Sequence, residues 1–146
     1  RAGWMMGGGP NKDKNFVQKI IRFFKDKNNE LFIVDDKLGT PTYTHDFAKN
    51  VKLLIEKEYW GLYNMVCGGV TGRYEVAVEL VNALGLDKDI IVTPVDSNYW
   101  SKEYFADRPP SERLVDRKLN LRGVNIMRDW RVCLNEYLLD YYKDYL

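Results

Sequence analysis

Short apolar runs alternate along this chain with stretches whose apolar residues recur every three or four positions. That alternation confines it to an α/β architecture, because strands and amphipathic helices bury their apolar faces by packing against each other. Four strand-like runs are present: residues 1–6, 31–36, 61–69 and 89–95. Four are too few for a complete doubly wound domain. The expectation is therefore a small sheet with about four amphipathic helices. Pro94 lacks an amide hydrogen, which puts the last strand at an edge or assigns the proline to its end.

The helical stripes are legible residue by residue. Phe16, Val17, Ile20, Ile21 and Phe24 mark the first helix, after the flexible Gly7-Gly8-Gly9-Pro10. Thr44 is the expected N-cap of the second, with Asp46 suited to the dipole of its first turn and Phe47, Val51, Leu54 and Ile55 as its buried stripe. Thr71 is expected to cap the third helix, whose stripe is Tyr74, Ala77, Val78, Val81 and Leu84, stopped by Gly85. The last helix carries Met127, Trp130, Leu134, Tyr137, Leu138 and Tyr141 on one face. Residues 96–122 are polar and proline-bearing, with room for helical turns.

Charge and cysteine usage narrow the function classes. The 22 basic and 21 acidic side chains nearly cancel and no basic run stands out, which argues against nucleic acid or an anionic membrane as partner. No apolar stretch approaches the ~20 residues that span a bilayer, and no signal peptide pattern opens the sequence, so a cytoplasmic protein is expected. Cys67 and Cys133 sit in apolar contexts, which predicts two buried thiols in a reducing compartment. Two isolated cysteines and the single His45 are too few for a zinc site. The chain opens "RAGWMMGGG" without an initiator methionine, and an apolar strand at residue 1 is the expectation for a piece of a longer parent.

Nucleotide-binding and catalytic signatures are missing. Gly7-Gly8-Gly9 follows a strand, but Pro10, Asn11 and Lys12 stand where a spaced third glycine belongs. Gly68, Gly69 and Gly72 have the wrong spacing for a dinucleotide fingerprint and no Walker lysine. Both groups are expected to be turn glycines. None of the ten tyrosines has a lysine four residues on, the offset that would put an ammonium beside a phenol on one helical face. No catalytic and no cofactor-binding residue is expected in this chain.

Several segments in register carry a resemblance. "RAGWMMG", "NFVQKII", "VDDKLGTPTYTHDFA", "DRPPSERL" and "DWRVCLNEYL" resemble, in order and approximate spacing, segments of the dTDP-4-dehydrorhamnose reductases of the extended short-chain dehydrogenase/reductase superfamily. These include an arginine-x-x-tryptophan strand, an Asp-x-x-Gly-x-Pro-Thr-x-x-x-Asp-Leu-Ala segment, an Arg-Pro-x-x-Ser-x-Leu segment and a closing Asp-Trp helix. The resemblance implies that residues 1–146 are the C-terminal substrate-binding domain of a Rossmann-type enzyme. The Rossmann glycines, the Tyr-Lys pair and most NADPH or NADH contacts would lie in an N-terminal domain absent from this chain. The full enzyme would reduce dTDP-4-dehydro-L-rhamnose. Two departures are visible: Phe47 replaces the leucine of Asp-Leu-Ala, and Ala2-Gly3 stand where hydroxyl residues are common.

Carried onto this sequence, the resemblance points to four substrate-binding candidates. Arg108 would grip the pyrophosphate of the nucleotide-sugar, since a guanidinium offers paired donors at fixed charge; the plainer reading is a surface arginine paired with Asp107 or Glu112. Ser111 would add a hydroxyl donor. Trp4 would pack on the sugar or base, or serve only as core. Thr42 would donate to a phosphate or sugar oxygen. His45 is not expected to act as a base, because the resemblance puts the proton donor in the other half. A carboxylate near Asp46 binds a metal at a dimer interface in some relatives, which is the only ground for Mg2+. Tyr99, Trp100, Tyr104 and Phe105 form an aromatic cluster that is either satellite core or a pocket wall. An unpaired first strand would favour a homodimer. The rival expectation is a non-catalytic interaction or regulatory module with the same fold.

Overall fold

The computed structural model describes residues 1–12, 15–26, 28–102 and 108–145. In chain order the elements are β1 (Trp4–Met6), α1 (Phe16–Lys25), β2 (Glu30–Val34), β3 (Leu38–Gly39), β4 (Pro41–Tyr43), α2 (Thr44–Glu56), β5 (Thr71–Gly72), α3 (Arg73–Ala83), β6 (Ile91–Val95), α4 (Arg117–Leu121) and α5 (Trp130–Tyr141). The strands form three two-stranded pairs: β1 with β4 and β2 with β6, both parallel, and β3 with β5, antiparallel. Among the described residues β6 pairs only with β2, so Pro94 does stand on an edge strand there, opposite Ile33.

Helices α1, α3 and α5 converge on these strands to make the main core. Ile21, Tyr43, Ala77, Leu80, Trp130, Cys133, Leu134 and Tyr137 are fully buried there. α1 starts where the Asn15 side chain accepts from the Gln18 amide at 3.2 Å, and its stripe is buried along Val17, Ile20, Ile21 and Phe24. A smaller cluster of Leu54, Tyr63, Met65, Leu119 and Val124 joins α2 and α4, with Met127 packed against it from the loop before α5. Full burial of one such aliphatic side chain is worth about 1.5–3 kcal/mol, so the two clusters give the chain a core of its own.

Several expectations need correction. Residues 61–69 form no strand, only an isolated bridge from Gly68 to Asp129, because their amides are shared among separate partners. Met65 N–H donates to Arg1 O at 2.8 Å, Cys67 N–H to Pro41 O at 2.9 Å, Gly68 N–H to Arg128 O at 2.9 Å and Val66 N–H to Asp116 Oδ1 at 3.1 Å. No single neighbour runs alongside to make a ladder. β1 begins only at Trp4, since the Gly3 amide is spent on the Thr42 hydroxyl at 2.9 Å. β1 has β4 as a partner within the chain on one of its edges.

Neither threonine caps its helix. Tyr43 is the N-cap of α2 without a side-chain bond, and the Thr44 hydroxyl lies so close to Gly7 that a Cβ there would sit 1.9 Å away. Gly72 is the N-cap of α3, and the Glu75 carboxylate reaches back to its amide at 2.7 Å. The buried residues of α3 are Val76, Ala77, Leu80 and Val81, with Val78 turned toward the flank. Ile55 is 54% exposed, because Leu54 takes the inward position in the last turn of α2. Gly85, at φ +67, ends α3 as expected.

Candidate functional site

The site is built on two residues of β3. Leu38 N–H donates to Pro110 O at 2.9 Å and Glu112 N–H donates back to Leu38 O at 2.8 Å, so residues 110–112 lie along β3 with Leu38 bridged to Ser111. The next residue, Gly39, has its open side filled by the Trp4 ring, where a Cβ would come within 2.0 Å of the indole. Any side chain at 39 would expel the tryptophan.

This geometry brings Trp4 and Arg108 together through a residue the sequence reading gave no ligand role. The Trp4 indole N–H donates to Glu112 Oε2 at 3.1 Å, and Arg108 Nη1 faces the other oxygen of Glu112 at 4.0 Å. The Arg108 side chain is 68% exposed. Lys37 Nζ donates to the Arg108 carbonyl at 3.0 Å, and the Arg73 guanidinium lies 5.3 Å from the Trp4 ring. A half-buried aromatic ring beside three cations and one carboxylate suits a ligand that carries both a flat or apolar face and negative charge.

The other two candidates fare differently. Ser111 turns away from Glu112, as alternation along an extended segment requires, and its hydroxyl accepts from Arg113 Nε at 3.1 Å. The quoted Arg-Pro-x-x-Ser-x-Leu pattern, counted from Arg108, puts its serine at 112, where this chain has glutamate and Ser111 comes one residue early. Thr42 is the clear departure from expectation. It is 0% exposed and its hydroxyl accepts the Gly3 amide, so it braces the β1–β4 crossing and no ligand reaches it.

The opening of α2 is closed chemistry. His45 Nδ1 meets the Tyr43 hydroxyl and Nε2 meets the Tyr141 hydroxyl, each at 3.0 Å, so both ring nitrogens are engaged. Asp46 is 2% exposed and takes a two-point contact from Arg128, Nε to Oδ2 and Nη2 to Oδ1, both 2.8 Å. Burial pushes the Asp46 carboxyl up, but the Arg128 guanidinium and the Cys133 thiol together hold it below the ordinary carboxylate range. Arg128 also binds Glu136, Nη1 to Oε2 at 2.5 Å, which keeps that carboxyl low as well. Asp46 therefore carries no free oxygen pair for Mg2+, and no group of three His, Cys, Asp or Glu among the described residues is arranged to hold a metal.

The glycine-rich turn after β1 offers no phosphate cradle either. A Cβ at Gly9 would meet the Tyr141 ring at 2.7 Å, so the turn packs onto α5 and a neighbouring side chain. Tyr99 stacks on Phe32 with ring centroids 5.4 Å apart, and Trp100 meets Tyr99 edge-on at 5.0 Å. Tyr104, Phe105 and Asp107 lie outside the described residues.

Lys37 and Arg73 were missed because nothing local marks them; Glu112 was foreseen only as an ion-pair partner of Arg108, which the structure shows at 4.0 Å, and not as the acceptor of the Trp4 indole. Strict counting of the Arg-Pro pattern is a further signal that points to position 112.

Comparison with known proteins agrees with the fold. Residues 1–143 match the family model described as the RmlD substrate binding domain. The spore coat polysaccharide biosynthesis protein SpsK of Bacillus subtilis (strain 168) is 32% identical over 138 residues, covering 94% of this chain and 45% of that protein. A crystal structure of a dTDP-4-dehydrorhamnose reductase from Clostridium acetobutylicum superposes with a TM-score of 0.84 at 32% identity, covering 94% of this chain and 46% of that one. The same enzyme from Bacillus anthracis, in complex with NADP, gives 0.84 at 26% identity and covers 96% and 47%. The chain thus spans a little under half the length of the relatives it matches. No helix among the described residues is long and apolar enough to cross a membrane. On the match across residues 1–143, the chain belongs to the RmlD substrate-binding-domain family.

Proposed function

We propose that this chain is the nucleotide-sugar-binding part of an NAD(P)H-dependent dTDP-4-dehydrorhamnose reductase, which converts dTDP-4-dehydro-L-rhamnose to dTDP-L-rhamnose. Residues 1–146 form its C-terminal domain. The nicotinamide cofactor, the Rossmann glycines and the Tyr-Lys pair belong to an N-terminal domain, because this chain has neither a phosphate-cradling loop nor a tyrosine with lysine four residues on. The observation that carries the reading is the meeting of half-buried Trp4 and exposed Arg108 at Glu112, flanked by Lys37 and Arg73.

In this reading Arg108 gives paired donors to the pyrophosphate while Lys37 and Arg73 add positive charge around it. Trp4 offers its ring to the sugar or the base. Ser111 is at most a rim donor, since its hydroxyl already accepts from Arg113. The cofactor supplies the hydride; this chain holds and orients the sugar nucleotide and keeps water from its apolar side. The neighbouring Cys67 and Cys133 thiols, both buried and unbridged, support a reducing, cytoplasmic setting.

Calorimetry with dTDP and with NADPH tests the reading on the chain. Binding of dTDP that weakens about tenfold in Arg108→Ala, a loss of ~1.4 kcal/mol, is the expected result, with NADPH bound weakly or not at all. Tight NADPH binding without dTDP binding overturns it and favours a different division of labour.

A further inference from the structure

We propose that Glu112 is a positioning residue, a single carboxylate that orients the Trp4 indole and the Arg108 guanidinium toward the same ligand. The ligand's identity rests on the nucleotide-sugar reading above; the positioning itself does not. The two carboxylate oxygens divide the work: Oε2 accepts the Trp4 indole N–H at 3.1 Å, and Oε1 faces Arg108 Nη1 at 4.0 Å. At 4.0 Å the Arg108 contact is beyond hydrogen-bond length, so it steers the guanidinium by charge without using up its donors.

The backbone makes this arrangement rigid. Glu112 is pinned to Leu38 through its amide, and Trp4 is seated against the adjacent Gly39, so both partners in the contact are referred to consecutive residues of β3. The indole is thereby held at its ring by Gly39, at its N–H by Glu112 and near Arg73 at 5.3 Å. A tryptophan without such restraints would lose rotamer freedom on binding, and fixing it beforehand removes that cost. With its N–H committed, Trp4 can offer the ligand only its ring, which selects for a sugar C–H face or a base and against a group seeking a donor. A serine at 112, as the Arg-Pro pattern has it, is too short to span both partners and carries no charge to steer the arginine.

The test has two arms on the chain. In the first, the Trp4 indole N–H resonance, assigned by its loss in Trp4→Phe, is followed by NMR without ligand. It is expected to be protected from solvent exchange in the parent, to lose that protection in Glu112→Ala and to regain it in Glu112→Gln, whose amide oxygen still accepts. Unchanged protection in Glu112→Ala overturns the proposal. In the second, dTDP affinity is expected to fall about five- to tenfold in Glu112→Ala, with only the part that acts through Trp4 recovered in Glu112→Gln, whose neutral amide accepts the indole N–H but cannot steer Arg108 by charge. In a Trp4→Phe background that loss should shrink to the part that acts through Arg108. Equal losses in both backgrounds would mean that Glu112 does not act through Trp4, and would also overturn the proposal. A parent that shows the protected indole yet binds no dTDP supports the positioning while removing the sugar-nucleotide reading, so the two failures are distinct.

Discussion

The carboxylate–arginine pairs Asp46–Arg128 and Glu112–Arg108 do opposite things. Asp46 and Arg128 meet at 2.8 Å through two contacts in a site where the carboxylate is 2% exposed. Glu112 and Arg108 approach only to 4.0 Å, with the arginine side chain 68% exposed. The first pair has consumed its own binding capacity, because a buried charge must be matched by geometry inside the protein. The second leaves the guanidinium facing solvent, where a ligand can take it. The same two functional groups thus make a brace in one place and, in the proposed function, a receptor in the other, with burial as the difference.

The largest effect is expected at the brace. Arg128→Met strands Asp46 and Glu136 near each other without a cation, and urea denaturation at neutral pH should show a loss of about 3–5 kcal/mol. An effect as small as that of a surface pair would erase the contrast. The Asp46 and Glu136 carboxyls are held low in the folded state, so their contribution is present above the unfolded carboxylate range and is lost as pH falls through their lowered folded values.

Asp116 runs the other way, and titration separates it from the brace. Burial, only partly offset by the Val66 amide and Asn125, pushes its carboxyl up to about 6. The folded state therefore binds a proton more readily than the unfolded chain. Stability is expected to rise as pH falls from about 6 toward 4, by on the order of 1–3 kcal/mol, before the Asp46 term takes it away at lower pH. Thermal denaturation of Asp116→Asn across this range should lack the rise.

At the receptor the stability effects are small. Thr42→Val removes the acceptor of the Gly3 amide and should cost about 1 kcal/mol while moving dTDP affinity less than about twofold. A large affinity loss would return Thr42 to the ligand. Smallest of all, a double-mutant cycle on stability between Arg108 and Glu112 should give a coupling of ~0–0.5 kcal/mol, as for other exposed pairs. A coupling of several kcal/mol would make the receptor a second brace.

The helix faces were legible because a period near four needs only nearby residues. Ile20, Ile21, Leu54, Ala77, Val81, Leu134 and Leu138 were expected on buried faces, and each is buried. The helix starts were less legible. Thr44 and Thr71 both looked like caps, but the Thr44 hydroxyl lies against distant Gly7 and the Thr71 hydroxyl donates to the carbonyl of the next residue, Gly72. Residues 61–69 looked like a strand by composition, yet a strand needs a continuous neighbour, and composition carries no information about neighbours. Trp4 and Arg108 were singled out by resemblance, and the fold brings them to one carboxylate. Lys37 and Arg73 had no pattern to betray them, and Glu112 was legible only as a partner of nearby Arg108, since its contact with Trp4 spans 108 residues.

Local periodicity and order of motifs by themselves determined the α/β class, the buried helix faces, the edge strand with Pro94 and the family resemblance, because each is written in spacings of a few residues or in motif order. Only the tertiary structure decided which polar residues are spent and which are left for a ligand. His45 lies between two tyrosines, one of them 96 residues away, and Asp46 is matched by an arginine 82 residues away. A hydroxyl, imidazole or carboxylate has the same chemistry wherever it stands in the sequence. Whether it braces the core or meets a substrate depends on which distant groups the fold brings to it and on how much water it leaves beside them.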